Sequence, residues 1–128
     1  MKKILLDTNI YVAFKRSRKE VLEVLQHVDY IGINSIVFGE LLAGFKGGNR
    51  EAQNRQGLEE FLNSPRVDLL SVNEETAEYY AKIFWDLKTR GTPIPNNDLW
   101  IAASAMQHGL ALYTLDVHFQ NINGLLLK

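Results

Sequence analysis

Short apolar runs alternate along this chain with longer stretches in which apolar residues recur at helical spacing. Lys3-Ile4-Leu5-Leu6 is brief and continuous, as a short buried strand is, and it ends at Asp7. Within residues 10–28, Val21, Leu22, Val24, Leu25 and Val28 fall on one helical face. Tyr30-Ile31-Gly32-Ile33 predicts a second strand, and Asn34 and Ser35 are good caps for a helix running to Gly44. After the loop Gly47-Gly48-Asn49, residues 50–63 predict a helix with Leu58, Phe61 and Leu62 as its apolar contacts, stopped by Ser64-Pro65. Residues 67–72 predict a third strand. Asn73 followed by Glu74 and Glu75 predicts a helix start, with a cap and an acidic first turn suited to the macrodipole; that helix runs to Arg90 and stops at Gly91. Thr92-Pro93-Ile94-Pro95 is a stiff connector. Asn96 or Asn97 then caps a helix from Asp98 to His108, closed by Gly109. Residues 111–115 predict a fourth strand and Leu125-Leu126-Leu127 a short fifth.

Strands alternating with helices predict an α/β sandwich with a mostly parallel sheet, in which ligands bind beyond the carboxyl ends of the strands. Four acids meet that edge. Asp7 ends the first strand, Asp116 follows the fourth, and Glu40 lies in the second turn of the helix that leaves the second. The helix from Asp98 spans ~16 Å at 1.5 Å per residue, and the strand after it ~17 Å. A helix that returns the chain to the start of that strand therefore has Asp98 at the same edge.

Composition narrows the chemistry. The 128 residues predict one domain, residues 1–128, with a hydrophobic core; 46% are apolar and 23% charged, ordinary for a soluble globular chain. The net charge of −1 gives no whole-molecule attraction for nucleic acid, so a nucleic-acid ligand needs a local basic patch or a metal ion. The absence of cysteine excludes disulfides, thiolate metal sites and thiol nucleophiles, and fits a reducing cytoplasm. No apolar run approaches the ~18 residues of a membrane span, and the three apolar residues after Met1-Lys2-Lys3 are too few for a signal peptide.

Each acid also has an ordinary role. Asp7 can cap the following helix, Asp98 can serve as a first-turn acid, and Asp116 can form a turn. Glu40 sits on a helix that is apolar nearly all round, so a partner is required, an internal salt bridge being the plainest. Taken together, four converging carboxylates repel one another and suit Mg²⁺ or Mn²⁺. Such an ion polarises a phosphate oxygen and activates water, which fits phosphodiester hydrolysis. Thr8, Asn9 and Thr114 are placed to orient carboxylates or water. The basic run from Lys15 to Lys19 reads first as a solvated turn and second as a phosphate contact. His27, His108 and His118 show no zinc spacing, and Trp85 and Trp100 read as core or interface anchors.

Leu5-Leu6-Asp7-Thr8-Asn9, Glu40 within Ser-Ile-Val-Phe-Gly-Glu-Leu, Asn97-Asp98-Leu99-Trp100-Ile101-Ala102-Ala103 and Thr114-Leu115-Asp116-Val117-His118-Phe119 together resemble a PIN domain. More closely, the chain resembles the VapC toxins of bacterial type II toxin–antitoxin pairs, over essentially its whole length. The resemblance implies a PIN-like three-layer α/β/α sandwich with a four- to five-stranded sheet, and an Mg²⁺- or Mn²⁺-dependent endoribonuclease. It matches Asp7, Glu40, Asp98 and Asp116 to the family's acidic quartet and Thr114 to its hydroxyl neighbour. Asp7 and Asp98 are then expected to bind metal directly, Glu40 to ligate or to position water, and Asp116 to complete the cluster. It further implies a homodimer, cleavage of tRNA or ribosomal RNA that inhibits translation, and a VapB antitoxin whose other end binds operator DNA. Two rivals stand beside this reading. A phosphatase or phosphotransferase would use Asp7 as nucleophile, but Asn9 occupies the place where such enzymes commonly carry a second acid. A non-catalytic interaction module of the same fold would have no need of all four acids.

Overall fold

The computed structural model describes residues 2–128. Four parallel strands, β1 (Lys3–Leu6), β2 (Tyr30–Asn34), β3 (Val67–Leu70) and β4 (Ala111–Tyr113), form one sheet in the order β3-β2-β1-β4. The two central strands carry the longest buried runs, as a strand covered on both faces must: Ile4, Leu5 and Leu6 in β1, and Ile31, Gly32, Ile33 and Asn34 in β2. Six helices flank the sheet: α1 (Thr8–Lys15), α2 (Lys19–His27), α3 (Ser35–Lys46), α4 (Glu51–Leu62), α5 (Glu74–Arg90) and α6 (Asn96–Gln107). The α/β architecture and parallel sheet agree with the sequence pattern.

Register fixes the functional edge. Ile4 pairs with Ile31 on one side and with Ala111 on the other, so β1, β2 and β4 run in step and end together. The backbone N–H of Asp7 continues the β1–β4 ladder, donating to Tyr113 O at 3.0 Å. Beneath the edge, Tyr11, Phe14 and Phe61 form an aromatic cluster joining α1 to α4, with Tyr11 edge-on to Phe61 at 5.3 Å between centroids. The cap predicted at Asn73 is present, and Thr76 completes it as a capping box: Asn73 accepts from Thr76 N, and the buried Thr76 hydroxyl accepts from Asn73 N. Gly91 ends α5 at φ 72, the left-handed conformation that glycine adopts without strain.

Several boundaries differ from the sequence pattern for local reasons. Residues 10–28 are not one helix: α1 starts at Thr8, and the chain breaks at Arg16–Arg18, where Ser17 has φ 59. Gly44 does not end α3, which continues to Lys46 before its cap at Gly47. Neither Asn96 nor Asn97 caps α6; Pro95 holds that position without a side-chain hydrogen bond. β4 stops at Tyr113 because Thr114 and Leu115 bond instead to Asp7 and Asn9. In place of a fifth strand, the C-terminal segment makes a single parallel bridge, Leu112 to Leu127, closed by hydrogen bonds from Leu112 N to Leu126 O and from Lys128 N to Leu112 O. Trp100 stacks on Tyr80 at 4.1 Å, whereas Trp85 is exposed and lies beneath the Lys88 ammonium, not in the core.

Candidate active site

The chain direction at the strand ends aims three short turns at one place. Asp7 leaves β1 in extended conformation and becomes the N-cap of α1, its Oδ1 accepting from Thr8 N at 2.8 Å. Asp116 does the same for the 3-10 turn Val117–Asn121, accepting from His118 N at 2.9 Å. Asp98 occupies the first turn of α6. The ordinary roles foreseen for these acids are therefore all filled. They do not compete with convergence, because capping and first-turn positions are what bring carboxylates to the edge where helices begin.

All four predicted acids, Asp7, Glu40, Asp98 and Asp116, line one open cleft of about 520 Å³, together with Thr8, Asn9, Arg16 and Arg18. Asp7 is the most enclosed, at 5% exposure. Its Oδ2 accepts from the Thr114 hydroxyl at 2.7 Å, with the Asn9 amide at 3.4 Å. Thr114 has a second task, because its oxygen accepts from Asp116 N at 3.0 Å. Asn9 likewise binds both ways, its Oδ1 accepting from Leu115 N. Thr8 donates to Glu40 Oε1, and Asn97 donates to Glu40 Oε2 at 3.1 Å. The salt bridge expected for Glu40 does not form; neutral donors hold it, so its charge is left uncompensated. Asn97 is thus not a cap but the link between α6 and α3. Only its place beside Asp98 hinted at this in the sequence.

Electrostatics follow from this packing. Burial pushes the Asp98 carboxyl up to about 6, and the charges of Asp7, Asp116 and Glu40 push in the same direction. Burial also raises Asp7; the Thr114 and Thr8 hydrogen bonds oppose it, while Glu40 and Asp116 add to it. Among the described residues, no lysine or arginine forms an ion pair with any of the four acids. The donors are hard oxygens, crowded, pre-oriented by hydrogen bonds and lacking a countercharge, which is what a divalent cation such as Mg²⁺ or Mn²⁺ requires. Asp98, Asp116 and His118 can each offer a donor atom within 4.8 Å of the others, with Asp7 and Glu40 beside them in the cleft. His118, to which sequence reasoning gave no role, also meets Asp116 Oδ1 through Nδ1 at 3.1 Å. The i, i+2 spacing in a tight turn was its signal.

The basic run divides. Arg16 and Arg18 stand on the wall of the acid cleft, and Arg18 is paired with Glu20. The solvated turn and the cleft wall are thus the same place.

The PIN domain family profile matches residues 4–125. The chain is 34% identical over 126 residues to Ribonuclease VapC1 of Haemophilus influenzae, covering 94% of this chain and 92% of that one. It is 32% identical over 129 residues to Ribonuclease VapC2 of Rickettsia felis, covering 97% and 95%. Among solved structures, it superposes with a TM-score of 0.89 on a chain of VapBC2 from Rickettsia felis bound to a promoter DNA fragment, at 30% identity and with 98% of this chain and 97% of that chain covered. VapBC-1 of nontypeable Haemophilus influenzae gives 0.86 at 32% identity, with 98% and 96% covered.

Proposed function

Because the chain belongs to the PIN-domain family and, within it, to the VapC ribonucleases, we propose that it is a divalent-metal-dependent endoribonuclease, the toxin of a type II toxin–antitoxin pair. The observation that carries this reading is the cleft itself: a buried Asp7 facing Glu40, Asp98 and Asp116, with no lysine or arginine among the described residues paired to any of the four. In this proposal residues 1–128 are one PIN domain acting in the cytoplasm. It cuts structured RNA, tRNA or ribosomal RNA, and so stops translation. Its partners are a VapB-type antitoxin, through which alone it contacts operator DNA, and a second copy of itself.

Asp7 and Asp98 would hold Mg²⁺ or Mn²⁺ directly, and Asp116 would complete the set. The bound ion supplies Lewis-acid polarisation of a phosphate oxygen and a lowered pKa for water. The chain's own groups do the rest. Thr114 fixes the Asp7 and Asp116 loops relative to each other, so both carboxylates keep their direction when substrate enters. Glu40, held on one oxygen by Thr8 and on the other by Asn97, retains lone pairs to orient a water and accept its proton. Water oxygen then bonds to phosphorus, one phosphorus–ribose oxygen bond breaks, and the departing oxygen takes up a proton. Asn9 spends its amide between the two loops, so the position two residues after Asp7 carries no acid for an aspartyl-phosphate pathway.

The test is cleavage of total cellular RNA with mapped product ends. Cleavage is expected with Mg²⁺ or Mn²⁺, to cease with chelator, and to be lost in Asp7→Asn and Asp98→Asn. Full metal-dependent activity in those two variants would overturn the site assignment.

A further inference from the structure

The acid cleft does not end at its arginines. A second, smaller pocket of about 160 Å³ adjoins it, and the two share Val12 in α1 and Arg16, its C-cap, one turn on. Its remaining walls come from three helices: Tyr11 and Lys15 on α1, Phe45 on α3 and Asn54 on α4. The lining combines two aromatic residues, an amide with donor and acceptor faces, and two cations at the border with the acids. The Asn54 side chain makes no hydrogen bond among the described residues, so both faces are free. Arg16 makes no ion pair among them either, unlike its neighbour Arg18.

Gly57 lies beside the Lys15 wall of this pocket. It lies inside α4, where glycine is a poor helix former. A Cβ at that position would stand 3.3 Å from the Lys15 ammonium. The missing side chain gives Lys15 room to lie across α4 while its ammonium remains 6.0 Å from the Phe14 ring.

We propose that this pocket is a nucleobase subsite, taking the base of the nucleotide next to the scissile phosphate in a single-stranded stretch of RNA, with Arg16 on the intervening phosphate. The proposal rests on the ribonuclease reading of the acid cleft. Unstacked RNA bases are recognised by stacking on aromatic rings and by hydrogen bonds to their edges. Phe45, half-buried at the pocket wall, supplies the first contact and Asn54 the second.

Binding and cleavage separate the two ideas. Affinities of pentaribonucleotides that differ at one position (A, C, G or U) are measured by fluorescence anisotropy with Mg²⁺, in an Asp98→Asn background that suppresses turnover. The chain is expected to rank the four bases. Asn54→Ala flattens the ranking and weakens the preferred oligomer about tenfold. Arg16→Gln weakens all four alike and lowers the salt slope by ~0.7. An unchanged ranking in Asn54→Ala, no ranking at all, or a loss confined to antitoxin binding would overturn the subsite. Cleavage by the chain with Asp98 intact, its base ranking unmoved by Asn54→Ala, would sink the subsite alone. A base ranking that Asn54 controls, without any cleavage, would sink the ribonuclease reading alone.

Discussion

At the scale of single residues, two acids are held away from their ordinary titration range. Asp98 sits at about 6 against a usual 3.8, and Asp7 is also raised, burial being the largest cause for each. A carboxyl whose pKa is higher folded than unfolded makes the folded state bind more protons between the two values, so stability falls as pH rises through that window. Thermal melts in chelator are therefore expected to lose stability from pH 4 to 6.5 through these groups. Asp98→Asn should raise the metal-free melting temperature by a few degrees and flatten that slope. An equal slope in Asp98→Asn would contradict the assignment. Metal reverses the sign, because protons and cations compete for the same oxygens. Thr114 offers a second residue-scale prediction. Thr114→Val removes a donor from Asp7 and an acceptor from Asp116 N while keeping the shape, and is expected to weaken metal affinity roughly 10- to 100-fold. Thr114→Ser restores the hydroxyl and should recover most of the loss, measured by calorimetric titration with Mn²⁺.

Between elements, the site depends on how α3 and α6 are joined, because they carry Glu40 and Asp98. Besides the Asn97–Glu40 contact, the join is Asn34, fully buried at the end of β2. Its Oδ1 caps α3 by accepting from Val37 N at 2.9 Å, and its Nδ2 donates to the buried Ser104 hydroxyl of α6 at 3.0 Å. Asn34→Ala is expected to cost ~1–3 kcal/mol, combining a lost N-cap with a stranded hydroxyl, read as a lower denaturant midpoint at unchanged m. If the Ser104 bond carries part of this, Asn34→Ala and Ser104→Ala combine to less than their sum. Asn34 was legible from the sequence as a cap but not as a bridge. Local pattern fixes the first three residues of a helix, whereas Ser104 lies 70 positions away. The same limit explains Asn97 and His118. The direction of strands and helices could be derived from apolar runs, and with it the edge at which the acids stand. The donors that hold each acid depended on loop paths, such as the left-handed Ser17 and the early end of β4, for which periodicity carries no signal.

For the whole molecule, the acid cleft is a load on the fold that a bound cation would relieve. Net charge is only −1, so the repulsion is local and bulk salt screens it poorly where Asp7 is enclosed. A ligand that binds only the folded chain stabilises it by RT ln(1 + [L]/Kd), ~2.7 kcal/mol at a hundredfold excess over Kd. Mg²⁺ or Mn²⁺ titrated into the chelated protein should therefore raise the melting temperature without saturating at stoichiometry, by several degrees at such an excess. The four acids belong to different segments: Asp7 follows β1, Glu40 lies in α3, Asp98 in α6, and Asp116 follows β4. An ion bound by all four would cross-link regions distant in sequence, and the unfolded chain could not reproduce such a site. Asp7→Asn and Asp98→Asn should each start from a higher metal-free melting temperature and respond far less to metal. An identical metal-induced rise in both variants would place the cation elsewhere on the molecule.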